Sequence, residues 1–439
     1  MHPADRSIDQ KTFWSQAACE LDGLANDSLA RSLRPTEHLS PTHIVRNGKK
    51  LLHFASNDYL GLAWHPSLAS GLSERVSEKS DNGIYAKYPS GATASPLILG
   101  ATLEYDRLCQ TIARWQNAEK SVVFSSGYAA NLGTLRALVA PDDVLFSDSL
   151  NHACLIDACK LSRAKVLVYP HANCDALESL LKTHRQAYRM AWILTDSIFS
   201  MEGDIAPILE IEELARAYQA IPLADEAHAS GVVGERGKGL LDFIGADPAL
   251  WIKTGTLSKA VGSVGGFVAG PELLCRLIVQ RARTLIFSTA LPPNTLASCS
   301  QAIEILQTLD DERRKLQELS KRLVLGLREI GSIVRVENPH EQIHEQIHGQ
   351  DSAVGRENKT SIDEAFRTPI IPMYVESPRA AIGLSRYLET QGIYVPAIRP
   401  PTVPVDRCLL RVSLNAHHRL EHVQLLLQSL QNAPPQLDT

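Results

Sequence analysis

Lys259 sits in the run Thr254-Gly-Thr-Leu-Ser-Lys-Ala-Val-Gly-Ser-Val-Gly-Gly266, among small residues and glycines where a surface lysine would have polar neighbours. Small neighbours let a bulky ligand approach the backbone, and an amine kept from water has a lowered pKa and becomes nucleophilic. Taken alone, the segment reads as an ordinary lysine in a glycine-rich turn. Asp225-Glu-Ala-His228 shifts that balance. Asp225 closes an apolar run and so falls at the carboxyl edge of a strand, a place where carboxylates more often cap a helix or shape a turn. His228, three residues on, can reach the same pocket.

An amine, a carboxylate and an imidazole in one pocket suit a pyridine-aldehyde cofactor. The carboxylate keeps the ring nitrogen protonated, which makes the ring of pyridoxal phosphate (PLP) an electron sink, and the imidazole can meet its phenolic oxygen. Ser125-Ser-Gly-Tyr-Ala-Ala-Asn131 follows an apolar run and opens a helical one, so its N–H groups and helix dipole form a phosphate cradle. Asn151-His152 follows the next run, where an imidazole could stack on a flat ring. Each signal is weak singly. A dinucleotide site is disfavoured, because no Gly-x-Gly-x-x-Gly follows the first strand and opens a helix.

Repeated strand–helix units position these residues. Short apolar runs (Ser121–Phe124, Val144–Phe146, Lys165–Tyr169, Ala191–Leu194, Ile221–Ala224) alternate with helical stretches (Ala129–Leu138, His152–Leu161, Asp175–Leu181, Ile208–Tyr218). That rhythm predicts an α/β fold with a mostly parallel sheet, helices on both faces, and ligands beyond the carboxyl ends of the strands. Upstream, Phe13, Ala17, Leu21 and Leu24 recur at helical spacing, predicting an amphipathic arm and then a short hairpin leading to Leu51-Leu52-His53-Phe54. Past about Pro292 the pattern becomes a long helix, Ala297–Leu325, and shorter strands. The expected division is an arm over 1–55, a large domain over 56–295 and a smaller α+β domain over 296–439. Within the last, the polar stretch from about 340 to 366, with its doubled His-Glu-Gln-Ile, reads as a mobile surface insertion. Its histidines could bind metal, but a solvated loop is the favoured reading and no metal centre is expected.

Composition narrows the setting. The 439 residues carry a net charge of −5, 44% hydrophobic and 21% charged residues, which disfavours nucleic acid as the main partner. The opening Met1-His2-Pro3-Ala4-Asp5-Arg6 leads into no apolar signal core, and no apolar run is long enough to span a bilayer. The eight cysteines include no Cys-x-x-Cys pair and read as thiols of a reducing compartment. A cytoplasmic protein without membrane or nucleic-acid partners is expected.

In order, these segments resemble the fold-type I PLP-dependent transferases, specifically the α-oxoamine synthases. The resemblance runs from Phe54-Ala-Ser-Asn-Asp-Tyr-Leu-Gly61 through Phe199-Ser-Met-Glu-Gly-Asp204, Thr256-Leu-Ser-Lys259 and Ile286-Phe-Ser-Thr-Ala-Leu-Pro-Pro293 to Leu410-Arg-Val-Ser-Leu414. It implies that Lys259 is the Schiff-base lysine and catalytic base, Asp225 the partner of the pyridine nitrogen, His228 the neighbour of the phenolic oxygen and His152 the stacking ring. Gly127 and Tyr128 match the phosphate-side turn, and Ser200 and Thr256 other cofactor contacts. Arg411 resembles the arginine that grips the amino-acid carboxylate, while Asn57, Arg31 and Thr402 match substrate-side positions. Ala397-Ile-Arg-Pro-Pro-Thr-Val-Pro404 resembles the biotin-pathway branch, implying decarboxylative condensation of L-alanine with a pimeloyl thioester on a carrier protein or coenzyme A. The resemblance also implies a homodimer, with Phe287–Pro293 reaching the neighbouring subunit's phosphate. At Ala94-Ser-Pro-Leu-Ile-Leu-Gly100 and Tyr105 the sequence departs from relatives, which carry a histidine where Tyr105 stands and use this segment at the acyl entrance. Other readings are an α-oxoamine synthase taking glycine or serine, a PLP aminotransferase or lyase, and a non-catalytic partner subunit, which Lys259 disfavours.

Overall fold

The computed structural model describes residues 10–68, 78–80, 83–85, 89–330 and 368–434. The insertion predicted at about 340–366 lies outside them.

The helix Gln10–Asn26 forms as expected, but Phe13 and Leu21 of its apolar stripe are exposed. Next come β1 (Glu37–Ser40), β2 (His43–Arg46) and β3 (Lys49–His53). The β2–β3 hairpin closes on Asn47-Gly48, both left-handed at φ 50 and 72, the pair a tight two-residue hairpin favours. A small hairpin, β4 (Glu78–Ser80) and β5 (Gly83–Tyr85), precedes the main sheet.

The main sheet has seven strands: β6 (Lys120–Phe124), β7 (Val144–Asp148), β8 (Lys165–Tyr169), β9 (Ala191–Asp196), β10 (Ala220–Asp225), β11 (Ile252–Thr256) and β12 (Gly266–Gly270), in the order β6-β12-β11-β10-β9-β7-β8. Only β12 runs antiparallel to its neighbours. Successive residues alternate between two cores: Phe146 and Ile193 enter one, Leu145, Trp192 and Leu194 the other. A strand buried on both faces needs apolar residues at every position, which is why these runs are continuous in sequence.

Beyond the sheet, two helices replace the single helix expected over Ala297–Leu325: Pro293–Leu306 and Asp310–Ile330. The break falls where the Thr308 hydroxyl donates to the Ile305 carbonyl, and Asp310, Asp311 and Glu312 start the new helix with negative charge at its N-terminus. Strands β13 (Ile370–Tyr374), β15 (Ala397–Ile398) and β16 (Leu409–Ser413) form a second sheet. β14 (Ile393–Tyr394) instead pairs in parallel with β3, so the N-terminal arm and the C-terminal segment share one sheet.

A candidate cofactor site at the carboxyl edge of the main sheet

The carboxyl ends of five strands, β6, β7, β9, β10 and β11, converge on one cavity of about 190 Å³. Gly127 and Tyr128 after β6, His152 after β7, Asp225 ending β10 with His228 beyond it, and Thr256 ending β11 with Lys259 beyond it all line it. The structure thus brings together seven of the residues singled out from sequence. β11 delivers Thr256, whose hydroxyl donates to the Gly265 carbonyl at 2.9 Å and pins the turn that presents Lys259.

The Lys259 Nζ lies 2.6 Å from His228 Nε2. Burial lowers the lysine's pKa to about 8, against the opposing pull of Asp225 and Asp196, with Arg411 lowering it further. His228 is pushed well below its ordinary value, by burial first and then by Lys259 and Arg411, and is therefore neutral. Its Nδ1 stands 2.7 Å from the Tyr59 hydroxyl. The Asp225 oxygens accept from Asn131 Nδ2 at 2.7 Å and from the Ala227 N–H at 2.9 Å, and Thr254 fixes Asn131 by donating to its Oδ1 at 2.7 Å.

On the opposite wall, the helix Gly127–Leu138 points its N-terminus at the cavity, with Ser126 as N-cap accepting from the Ala129 N–H. A Cβ on Gly127 would lie 3.2 Å from the Thr256 Cβ, and one on Gly266 would lie 2.3 Å from the Ser126 carbonyl oxygen. Only glycine leaves the turn where it is. Tyr128 is exposed and its hydroxyl donates to Asp157. His152 caps the helix Ala153–Ser162, with Nδ1 accepting from the Cys154 N–H at 3.2 Å.

Ser200, Asn57 and Arg411 gather beside this cavity. Arg411, on β16, donates through Nε to the Ser200 carbonyl at 2.5 Å and through Nη1 to Asn57 Oδ1 at 3.0 Å. Its Nη2 reaches the Tyr59 hydroxyl at 3.4 Å, linking this group to His228. Arg31 and Thr402 lie elsewhere. The Arg31 guanidinium donates to the Pro400 carbonyl at 2.6 Å and borders a separate cleft with Arg34, Arg46, Arg386, Glu389 and Arg399. Thr402 is exposed, its N–H bonded to the Arg399 carbonyl at 3.0 Å. Tyr105 is partly buried, and its hydroxyl donates to the Val123 carbonyl at 2.8 Å, so it braces β6.

Asp196, Cys154, Asn131 and Tyr59 belong to the site but were not singled out. Asp196 had a usable signal, since it closes an apolar run and pairs in register with Asp225 across β9 and β10. It is buried, its Oδ1 has no hydrogen-bond partner, and burial first, then Asp225, pushes its pKa well above the usual carboxylate range.

These groups fit pyridoxal phosphate. An anion-binding helix end, a carboxylate and a lysine line one cavity, which matches the phosphate, ring nitrogen and aldehyde of the cofactor. Among the described residues, no cluster of side chains could hold a metal and no helix is long and apolar enough to cross a membrane.

Residues 49–430 match the family model for aminotransferase class I and II. The chain is 38% identical over 403 residues to the 8-amino-7-oxononanoate synthase of Geobacter sulfurreducens, covering 91% of this chain and 93% of that one. A serine palmitoyltransferase from S. paucimobilis, solved with a bound PLP–myriocin aldimine, matches with a TM-score of 0.81 and 25% identity over 96% of this chain and 98% of its own. The 8-amino-7-oxononanoate synthase of Francisella tularensis matches with a TM-score of 0.66 and 25% identity over 87% and 97%. The chain belongs to the aminotransferase class I and II family, the fold-type I pyridoxal-phosphate-dependent transferases, in the branch of its 8-amino-7-oxononanoate synthase relatives.

Proposed function

We propose that the protein condenses L-alanine with a pimeloyl thioester, releasing CO₂ and a thiol, to give 8-amino-7-oxononanoate in biotin synthesis. The observation that carries this reading is the juxtaposition of the Lys259 cavity with the buried Arg411, in a chain whose relatives bear that enzyme's name. The bound cofactor supplies a protonated pyridine ring that accepts the electron pair left when the α-proton departs. Asp225 presents a carboxylate to that ring nitrogen, and Ser126 and Gly127 offer N–H groups to the phosphate. Arg411 holds the alanine carboxylate with its planar fork, steadied by Asn57 and Ser200. Lys259, with a pKa of about 8, is poised as the base that removes the α-proton and returns one after CO₂ leaves.

The exclusion of other substrates supplies the test. Purified protein should turn over alanine with a pimeloyl thioester roughly 10- to 200-fold faster than glycine, the limit for recognising one methyl group. The gene should also restore growth without biotin to a bacterium lacking its own oxononanoate synthase. A second reading, serine or glycine with another acyl thioester, draws on the higher TM-score to serine palmitoyltransferase. Failed rescue, together with faster turnover of serine or glycine, would move the protein to that branch.

The reading includes a homodimer. Leu97, Ile98, Leu99 and Phe287 are all exposed, and Ala290 N–H donates to the Ala94 carbonyl at 3.0 Å, which sets the two segments side by side. Consecutive exposed aliphatic residues of this kind call for a covering surface, and a second copy would place Phe287–Pro293 near the partner's cavity. Light scattering at assay concentration should give twice the monomer mass; a fully active monomer would contradict it.

A further inference from the structure

A side chain outside the cavity ties together the two loops that carry His152 and Ser200. His171, just past β8, places Nδ1 3.0 Å from Asp148 Oδ1 and Nε2 2.7 Å from Asp204 Oδ2. Carboxylate oxygens only accept, so a neutral ring would aim one lone pair at another. Both nitrogens must carry hydrogen, and the ring is an imidazolium. Burial alone would lower its pKa; the hydrogen bonds to Asp148 and Asp204 outweigh burial and raise it to about 10. Phe199 packs edge-on against the ring at 4.3 Å.

Each carboxylate governs a loop. Asp148 ends β7 and also accepts from the Leu150 N–H at 2.8 Å and the Ala172 N–H at 2.9 Å, which sets the turn leading to His152. Asp204 closes the loop 199–204: its carbonyl accepts from the Phe199 N–H at 3.0 Å, and the Gly203 N–H donates to the Phe199 carbonyl at 2.9 Å. Gly203, at φ 71, passes so close to β13 that a Cβ would lie 2.2 Å from the Ile370 carbonyl oxygen. Within this loop is Ser200, whose carbonyl accepts from Arg411 Nε.

We propose that His171 is a positioning residue: by clamping Asp204 to Asp148 it fixes the 199–204 loop so that the Ser200 carbonyl aims Arg411 at the carboxylate of the amino-acid substrate. The inference rests on the reading of Arg411 given above. A glutamine at 171 carries no charge and has one amide nitrogen in place of the two ring nitrogens that meet Asp148 and Asp204. Asp204 would then be left uncompensated beside Glu202, whose carboxyl is already pushed up to about 7 by burial and by Asp204.

The test is L-alanine binding to the cofactor-loaded protein, followed by the change in cofactor absorbance without an acyl donor. His171→Gln should bind pyridoxal phosphate as the parent does, while its Kd for L-alanine rises about tenfold. Asp204→Asn, which removes the same ion pair from the other side, should give a similar rise and serves if His171→Gln folds poorly. In an Arg411→Ala background, His171→Gln should add no further loss, because both changes act on one contact. Unchanged alanine affinity in both clamp variants, beside a parent that responds, overturns the clamp and leaves the Arg411 reading standing. An additive loss in the Arg411→Ala background, or an equal loss of cofactor affinity, assigns His171 a general structural role and also overturns it. A parent with no alanine response overturns the Arg411 reading, and the clamp with it.

Discussion

Lys259→Ala is expected to abolish turnover and the yellow colour of the cofactor-loaded protein together. Among the described residues lining the cavity, the amine is the one group able both to bond the cofactor's aldehyde carbon and to carry the substrate's α-proton. With a pKa of about 8 it is about one-tenth neutral at pH 7, where an ordinary lysine is neutral in only about three molecules per ten thousand. Its neighbour His228 is a neutral imidazole and offers no amine to take its place. Lys253 cannot take over, because it lies buried in β11 and interacts with Glu226 outside the cavity lining. Absorbance spectra and steady-state rates check both losses. A variant that keeps either one would mean another residue holds the cofactor.

Asp225→Asn comes next in size. A carboxylate facing the cofactor's ring nitrogen would make a buried ionic contact, and breaking such a contact costs roughly 3–5 kcal/mol, or two to three and a half orders of magnitude in rate. An amide also brings an NH₂ group into an environment of donors, since Asn131 Nδ2 and the Ala227 N–H both point at this side chain. Cofactor binding should fall much less than turnover, because the helix end at Gly127 and Lys259 remain. Turnover and cofactor content measured on the same preparation separate the two effects. Near-parent turnover would remove Asp225 from the chemistry.

Much of this site was legible because a parallel sheet buried on both faces writes its strands as apolar runs. The residue that breaks such a run then lies at the carboxyl edge, as Asp225 does, whereas Thr256, at the end of the polar strand Ile252–Thr256, was visible only through the family resemblance. Asp196 obeys the same rule and was available by the same reasoning. Arg411 was visible only through the family resemblance, because it sits inside β16 and reaches Asn57 and Ser200 across long separations in sequence. Asn131 looks like a polar residue early in a helix, and only the fold shows it gripping Asp225. His171 gives no periodic signal at all; its role follows from β7, β8 and the 199–204 loop meeting at one point. The pairing of β3 with β14 was equally hidden, since two residues of strand leave no pattern. The broken helix at Gln307–Leu309 was missed because its apolar spacing continues through the break.

The most direct test of the site is chemical. Borohydride reduction of the cofactor-loaded protein, followed by digestion and mass spectrometry, should place a pyridoxyl group on the peptide containing Lys259 and on no other lysine. A pyridoxyl group on Lys253 or elsewhere, or none at all, would contradict the assignment of the cavity at the carboxyl edge of the main sheet as the cofactor site.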